Sequence, residues 1–274
     1  MIAALQDEVL IQAKKDYDSQ GYCVIDDIYS AQELDEIETF FEDFRSQDHG
    51  AYKDGAKYAD IDPSKELLRA LHPHRFSEKA LEWFLHPRMA EVLEALLARP
   101  ALGAQTMFYY KPPQSVGQAM HQDNFFLLAK PAVCIGAWTP IDDVDDENGC
   151  LRMVPESHQL GLICPDEDQA DTEAHLKHGE INADEMAKHK AVPVCMRRGQ
   201  TLLFGGHMIH GSGPNRSKTR SRRTFIGHYV DDATETMSKF YHPILNMKGE
   251  VVSHVDVHEG GGPCGEASWE GAVH

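Results

Sequence analysis

After Pro100, the sequence becomes a series of short β-type runs separated by turns. The runs are ALGAQTMFYYK (101–111), AVCIGAWTPID (132–142), GCLRMVP (149–155), AVPVCM (191–196), TLLFGGHMIH (201–210) and RRTFIGHYV (222–230). Parallel strands need crossover helices, and no repeating helical pattern separates these runs. The sequence therefore predicts an antiparallel β sandwich or barrel as the core of the fold.

The first hundred residues have helical patterns instead. Ser30 precedes AQELDEIETFFEDF and stands three residues before Glu33, which is the spacing of a capping box that begins a helix. Further helical periodicity covers residues 3–18 and 78–98. We expect one domain over 1–274, with a mostly helical part (1–100), a β core (101–232) and a C-terminal extension (233–274). The polar segment 46–66 and an acidic insertion at 165–190 are either lids or solvated loops.

Charge and cysteine usage exclude several classes of function. The formal net charge is −18 at pH 7, whereas nucleic acids and anionic membranes are bound by clustered Lys and Arg. No apolar run approaches the ~20 residues that a membrane-spanning helix needs. The six cysteines are scattered, without a CxxC pair, so we expect reduced thiols. The N-terminus lacks the pattern of a signal peptide, and we expect a cytoplasmic protein whose partner is a small molecule.

The segment AMHQDNFFLLAK (119–130) contains a His and an Asp two residues apart. On a β-strand, residues i and i+2 face the same side, so His121 and Asp123 could bind one cation together. A third ligand must come from another strand, where His207 and His210 are the candidates. Two His and one carboxylate are the typical ligands of non-haem Fe(II) oxygenases, although an isolated HxD pattern is a weak signal.

Such enzymes commonly use 2-oxoglutarate, a dicarboxylate whose distal carboxylate is best bound by a buried Arg. In RSRRTFIGHYV, strand alternation places Arg222 and His228 on one face and Arg223 on the other. The neighbouring charges at Arg216, Lys218 and Arg220 are more typical of a solvated hairpin.

Four segments together resemble the phytanoyl-CoA dioxygenase family, which includes bacterial ectoine hydroxylase. They are TMFYYKPP (106–113), MHQDN (120–124), AWTPIDDVDDENGCLRMVPESH (137–158), and LLFGGHMIHGSGPN followed by SRRTFIGHY (202–229). The resemblance implies a mainly β double-stranded β-helix (jelly-roll, cupin-like) core with helices packed outside. It also implies an Fe(II)- and 2-oxoglutarate-dependent dioxygenase that uses O2, with ascorbate as a reductant in vitro. Hydroxylation of an unactivated C–H bond in a small polar metabolite, with release of succinate and CO2, is the expected reaction.

The resemblance also implies roles for individual residues. The iron ligands fall on His121, Asp123 and His210, and the presence of Asp123 favours hydroxylation, because halogenating relatives have a small residue there. The cosubstrate arginine falls on Arg222, with Arg223 and Arg220 as alternatives. Other family positions that line the 2-oxoglutarate pocket fall on Met107, Lys111, Trp138 and Ser212. For the substrate, Gln105 matches a contact of the ectoine-hydroxylase branch, and we add Asn124 and Tyr110 as polar candidates. Two other functions remain open: a zinc-dependent hydrolase with the same ligands, and a non-catalytic cupin-like binding protein.

Overall fold

A computed structural model describes residues 5–47, 62–65, 67–164 and 179–264. Most of the segment 46–66 and of the insertion 165–190, the two segments expected to be lids or loops, lies outside these residues. Within the described ranges, no helix is long and apolar enough to cross a membrane.

Helices of this chain lie mainly before the β core. Their bounds are α1 Asp7–Gln20, α2 Ala31–Ser46, α3 Glu78–Phe84, α4 Pro87–Leu97, α5 Asn124–Leu127 and α6 Ala183–Met186. The capping box at the start of α2 is confirmed: the Ser30 hydroxyl accepts a hydrogen bond from the Glu33 N–H, and the Glu33 carboxylate accepts one from the Ser30 N–H. The region 78–98 contains two helices, because α3 ends at Phe84 and the His86 side chain caps a new helix that begins at Pro87.

The strands form two antiparallel sheets and one short parallel pair. Their bounds are β1 Tyr22–Ile25, β2 Leu68–Leu71, β3 Ala101–Lys111, β4 Gln118–His121, β5 Ile135–Pro140, β6 Leu151–Met153, β7 Val192–Val194, β8 Thr201–Gly205, β9 His210–Ser212, β10 Arg222–Asp231, β11 Thr236–Met237, β12 Leu245–Asn246 and β13 Asp256–Val257. The large sheet has the order β1-β8-β5-β10-β3-β12, with β2 also paired to β3. The small sheet has the order β4-β9-β6-β7, and β11 pairs with β13.

The two faces of the large sheet have different neighbours, as strand alternation requires. On the outer face, Phe108 and Phe225 pack in one cluster with Phe41 of α2 and Trp83 of α3. On the inner face, Met107, Trp138 and Ile226 pack with residues of the small sheet. The interior between the two sheets is therefore the place where side chains from opposite strands meet.

The C-terminal extension packs against one end of this interior. Tyr241 and Ile244 are fully buried there, in a cluster with Leu102, Phe125 and Val230. The extension is also attached by a disulfide between Cys164 and Cys264, whose Cα atoms are 5.6 Å apart. The expectation that all six thiols are reduced is therefore wrong for this pair, because one hundred residues of sequence separate two cysteines that the fold brings together. Cys23, Cys134, Cys150 and Cys195 are free.

Candidate metal centre and adjoining pocket

Three potential metal ligands meet in the interior. His121 at the end of β4 and His210 at the start of β9 are opposite each other in the small sheet. The Asp123 Oδ1 atom lies 3.6 Å from His121 Nε2 and 3.5 Å from His210 Nε2. All three residues are buried, and one ligand atom of each lies within 4.8 Å of the others. Among the described residues, this is the one group of three or more His, Cys, Asp or Glu side chains that could hold a metal ion.

Hydrogen bonds orient both imidazoles toward this point. His121 Nδ1 lies 2.7 Å from the Ala119 carbonyl oxygen, and His210 Nδ1 lies 3.0 Å from that of Met208. A ring nitrogen facing a carbonyl carries the proton, which leaves Nε2 with a lone pair for a metal. Burial lowers the pKa of His210 to about 4, so its imidazole is neutral near pH 7. Two imidazoles and a carboxylate are a donor set that suits Fe(II).

Asp123 reaches the site in a different way from the expected strand alternation. Strand β4 ends at His121, and Asp123 has φ −62° and ψ −35° at the start of α5. The intervening Gln122 holds this turn: its amide donates to the carbonyls of Gly161 and His207, both at 2.7 Å, and accepts from the Ile163 N–H at 2.8 Å. His207 therefore contributes its carbonyl to this support, and its imidazole is not one of the three grouped side chains.

The second oxygen of Asp123 contacts strand β10. His228 Nε2 lies 3.1 Å from Asp123 Oδ2, and both side chains are buried. An imidazole in this position fixes the rotation of the carboxylate, so that Oδ1 faces His121 and His210.

Arg222, at the opposite end of β10, is also buried in the interior. Its Nη1 donates to Thr224 Oγ1 at 3.0 Å, its Nη2 lies 3.5 Å from Ser212 Oγ, and its guanidinium carbon lies 5.3 Å from the centre of the Trp138 ring. No ion pair is found for Arg222 within the described residues. Burial lowers its pKa to about 10, because a charge in this environment has lost its hydration.

The two alternative arginines are engaged elsewhere. Arg223 lies on the outer face, where it pairs with Asp142 at 2.5 Å and with Glu38 at 2.8 Å. Arg220 pairs with Asp145 and Glu147 on the surface. Of the three candidates, Arg222 alone lines the interior cavity, so the geometry favours it as the residue available to an incoming carboxylate.

Other residues expected around 2-oxoglutarate lie beside Arg222. Lys111 Nζ donates to Ser212 Oγ at 2.9 Å and to the Gly213 carbonyl at 2.5 Å. Burial, together with the nearby Arg222 charge, lowers the pKa of Lys111 to about 6. Met107 and Trp138 line the same cavity. Its volume is about 20 Å³, which holds roughly one water, so side chains must move before a larger molecule can enter.

The three residues expected to contact substrate have different positions. Gln105 is fully buried on β3, opposite His228, and neither atom of its amide has a hydrogen-bond partner among the described residues. Tyr110 is a wrong prediction: it faces the outer side of the sheet, where its hydroxyl donates to the Phe41 carbonyl at 2.6 Å. The amide of Asn124 donates to the Ala132 carbonyl and its side chain lines a separate open groove, so its contact with substrate stays a prediction.

Sequence reasoning missed two polar residues that line the cavity. Tyr109 faces the interior and its hydroxyl accepts a hydrogen bond from Arg69 at 2.8 Å. Strand alternation from Met107 and Lys111 could have identified it. Gln118 Nε2 lies 3.3 Å from His121 Nε2, but an irregularity in the pairing of β4 separates the two residues, and no periodicity in the sequence indicates this contact.

Comparisons with known proteins identify the family of this chain. A model of the phytanoyl-CoA dioxygenase (PhyH) family matches residues 17–224. Phytanoyl-CoA dioxygenase 1 of Oryza sativa subsp. japonica is 32% identical over 200 residues, which are 71% of this chain and 66% of the rice protein. The peroxisomal phytanoyl-CoA dioxygenase of Rattus norvegicus is 26% identical over 234 residues, 80% of this chain and 68% of the rat protein. The chain thus spans about two thirds of the length of these curated relatives.

Solved structures share the architecture. EctD from S. alaskensis with bound Fe superimposes with a TM-score of 0.67 at 19% identity, covering 93% of this chain and 91% of EctD. The epimerase SnoN in complex with Fe3+, alpha ketoglutarate and nogalamycin RO gives a TM-score of 0.66 at 21% identity, covering 84% of this chain and 86% of SnoN. At these identities the likeness concerns the fold, and it confirms the predicted jelly-roll core.

Proposed function

The chain belongs to the phytanoyl-CoA dioxygenase family of non-haem iron, 2-oxoglutarate-dependent oxygenases, and we propose that it hydroxylates an unactivated C–H bond of a small polar metabolite. One observation carries the proposal. The interior holds a buried group of two histidines and a carboxylate, and the cavity lined by His210 of this group is also lined by Arg222, a buried cation without an acidic partner among the described residues.

His121, Asp123 and His210 would hold the iron. Bound Fe(II) would activate O2, which is the oxidant, and 2-oxoglutarate would supply two electrons as it is oxidatively decarboxylated to succinate and CO2. The chain itself supplies orientation: the carbonyls of Ala119 and Met208 fix the imidazoles. His228 holds the Asp123 carboxylate at 3.1 Å, so that no ligand needs to reorganise when the metal binds.

Arg222, Ser212 and Lys111 would bind the distal carboxylate of 2-oxoglutarate. A guanidinium can donate two parallel hydrogen bonds to a carboxylate, and a buried charge gains most from such a partner because it has lost its water. Lys111 adds a second donor, and an anion beside it favours the ammonium form, so binding is expected to take up a proton at neutral pH. Met107 and Trp138 would exclude water from this end of the cavity.

The nature of the substrate is argued from charge. An acyl-CoA carries several phosphate charges, and a chain with a net charge of −18 repels such a molecule at long range. A small polar metabolite without phosphate groups does not meet this repulsion. Asp123 supports hydroxylation, since it occupies the metal-ligand position that halogenating relatives leave to a small residue.

The test is succinate formation by purified protein with Fe(II), 2-oxoglutarate and ascorbate, in the absence of a prime substrate. We expect slow decarboxylation that requires O2 and is inhibited by Zn²⁺. Asp123→Ala is the negative control, because it removes a ligand without touching the 2-oxoglutarate pocket. A zinc hydrolase would instead be inactive here and retain Zn²⁺ with hydrolytic activity. A cupin-like binding protein would bind metal and give no turnover, and either result would refute the proposal.

A further inference from the structure

Three buried polar side chains near the candidate metal centre have no hydrogen-bond partner in the part of the chain that the structure describes. They are His72, with both ring nitrogens unpartnered, Gln105, with both amide atoms unpartnered, and Tyr241, with its hydroxyl unpartnered. Their side chains are between 0% and 7% exposed. Leaving a buried polar group unsatisfied is unfavourable, and most such groups in native proteins are paired. Three together require an explanation other than packing.

The three side chains come from different elements that meet around strand β3. Gln105 on β3 is the cross-strand neighbour of His228, which itself contacts Asp123 at 3.1 Å. The His72 N–H donates to the carbonyl of Thr106, the residue after Gln105, and the His72 ring lies 4.7 Å from that of Phe240, the residue next to Tyr241. Tyr241 packs in one cluster with Leu102 and Ala104 of the same strand.

We propose that His72, Gln105 and Tyr241 form a substrate subsite, one that hydrogen-bonds an uncharged polar group such as a hydroxyl or an amide. The inference rests on the proposed oxygenase function, and it specifies the part of the substrate that lies beside the reacting C–H bond. A hydroxyl or amide both donates and accepts, and it would satisfy the phenol, the amide and the imidazole together.

The available charges favour a neutral group over an anion. Two cations lie in the neighbouring segment, and the protein already engages both. Arg69 donates to the Tyr109 hydroxyl and Arg75 donates to the Phe240 carbonyl. Burial lowers the pKa of His72 to about 2, so its imidazole is neutral. An anionic group would have no free cation here among the described residues, and it would approach the Asp123 carboxylate.

The first test compares two buried tyrosines that differ in one respect. Tyr241 and Tyr229 are both 0% exposed, but the Tyr229 hydroxyl donates to the Phe84 carbonyl at 2.7 Å, whereas the Tyr241 hydroxyl has no hydrogen-bond partner within the described ranges. We expect Tyr241→Phe to leave the melting temperature unchanged or raise it by about 2–4 °C, and Tyr229→Phe to lower it by a similar amount. Gln105→Leu should behave like Tyr241→Phe. Equal destabilisation by both tyrosine variants would mean that the Tyr241 hydroxyl is satisfied within the fold, which would overturn the inference.

The second test uses probes in place of the substrate. Succinate formation with Fe(II) and 2-oxoglutarate is measured alone and with two matched pairs: propane-1,2-diol against lactate, and glucose against glucuronate. We expect the neutral member of each pair to stimulate more than its carboxylate counterpart. Tyr241→Phe should reduce this stimulation about 2- to 10-fold, while Tyr229→Phe retains the wild-type ratio.

Equal or greater stimulation by the carboxylates, or none by the neutral probes, would exclude the neutral class of ligand. Failure of the proposed oxygenase function can be distinguished from failure of the proposed subsite. A chain that forms no succinate even without probes would refute the oxygenase, yet the melting comparison would still decide whether the three polar groups are held unsatisfied.

Discussion

Replacement of Arg222 by Met separates the role of this residue in binding from its role in folding. The folded protein carries a guanidinium whose pKa burial has lowered from 12.5 to about 10, which corresponds to a cost of about 3 kcal/mol for the charged form at neutral pH. The side chain is 3% exposed, so solvent screening removes little of this cost. Met would remove the cost together with the hydrogen bond to Thr224, worth about 2 kcal/mol, and the contact with Trp138, worth about 1 kcal/mol.

These contributions nearly cancel, so Arg222→Met should melt within a few degrees of the wild type when no ligand is present. The response to 2-oxoglutarate should differ. In Fe(II)-loaded protein without oxygen, cosubstrate at about 100 times its Kd stabilises the wild type by about 2.7 kcal/mol, or roughly 5–10 °C. The variant should show no such increase, and the assay is thermal melting across a 2-oxoglutarate titration.

Arg223→Met is the matched control. This side chain is hydrogen-bonded to Asp142 and paired with Glu38 on the outer face, so its loss should cost about 2 kcal/mol of stability and leave the response to 2-oxoglutarate intact. If Arg223→Met abolished the response and Arg222→Met retained it, the assignment of the cosubstrate anchor would be wrong. A fall of 10 °C or so in Arg222→Met alone would refute the claim that its charge is uncompensated in the ligand-free fold.

Three further predictions concern the ligands, their support and a buried amine. Asp123→Ala should weaken Fe(II) retention more than about 100-fold in equilibrium dialysis while circular dichroism stays native; retained iron would remove Asp123 from the ligand set. Gln122→Leu, which removes three hydrogen bonds, should cost about 2–3 kcal/mol in urea unfolding and lower iron affinity at least about tenfold, and an unchanged affinity would show that the turn needs no such support. The folded pKa of Lys111, about 6, lies below its ordinary value of 10.5, so the unfolded chain binds the extra proton between these values and stability rises with pH. Lys111→Met should remove up to about 2 kcal/mol of the stability gained between pH 7 and 9, and a slope equal to that of the wild type would refute the low pKa.

The β core could be predicted because its strands alternate. The run at 101–111 becomes β3 with the same bounds, and RRTFIGHYV becomes most of β10. Alternation along β10 correctly places Arg222 and His228 in the interior and Arg223 outside. These positions follow from the strand period alone, since both neighbours of β10 are hydrogen-bonded along it and the strand has no freedom to rotate.

Other features depended on geometry that the sequence does not encode locally. The HxD spacing predicts a strand position for Asp123, but a spacing of two is equally satisfied by a strand end followed by a helical turn. The hydroxyl of Tyr110 makes it a polar candidate, although the same alternation that turns Tyr109 toward the interior turns Tyr110 away. The Cys164–Cys264 bond joins residues separated by 100 positions, and no periodicity reports such a contact. His72 follows strand β2 and Tyr241 lies in the C-terminal extension. Strand alternation in the β core does not predict the contacts of either residue.

The central position of β10 has a consequence for the engineering of this chain. Its interior face carries Arg222 and His228 six residues apart, a span of about 20 Å in an extended strand. A single residue inserted or deleted within the strand would exchange inward for outward side chains on one side of the change, so Arg222 and His228 would no longer share a face. The preceding connection, residues 213–221, joins β9 of the small sheet to β10 of the large sheet, and a change in its length does not alter the alternation within β10. Loop grafting and length variation are therefore best confined to that connection and to the edge segments, because the length of β10 sets the distance between the two ends of the cavity.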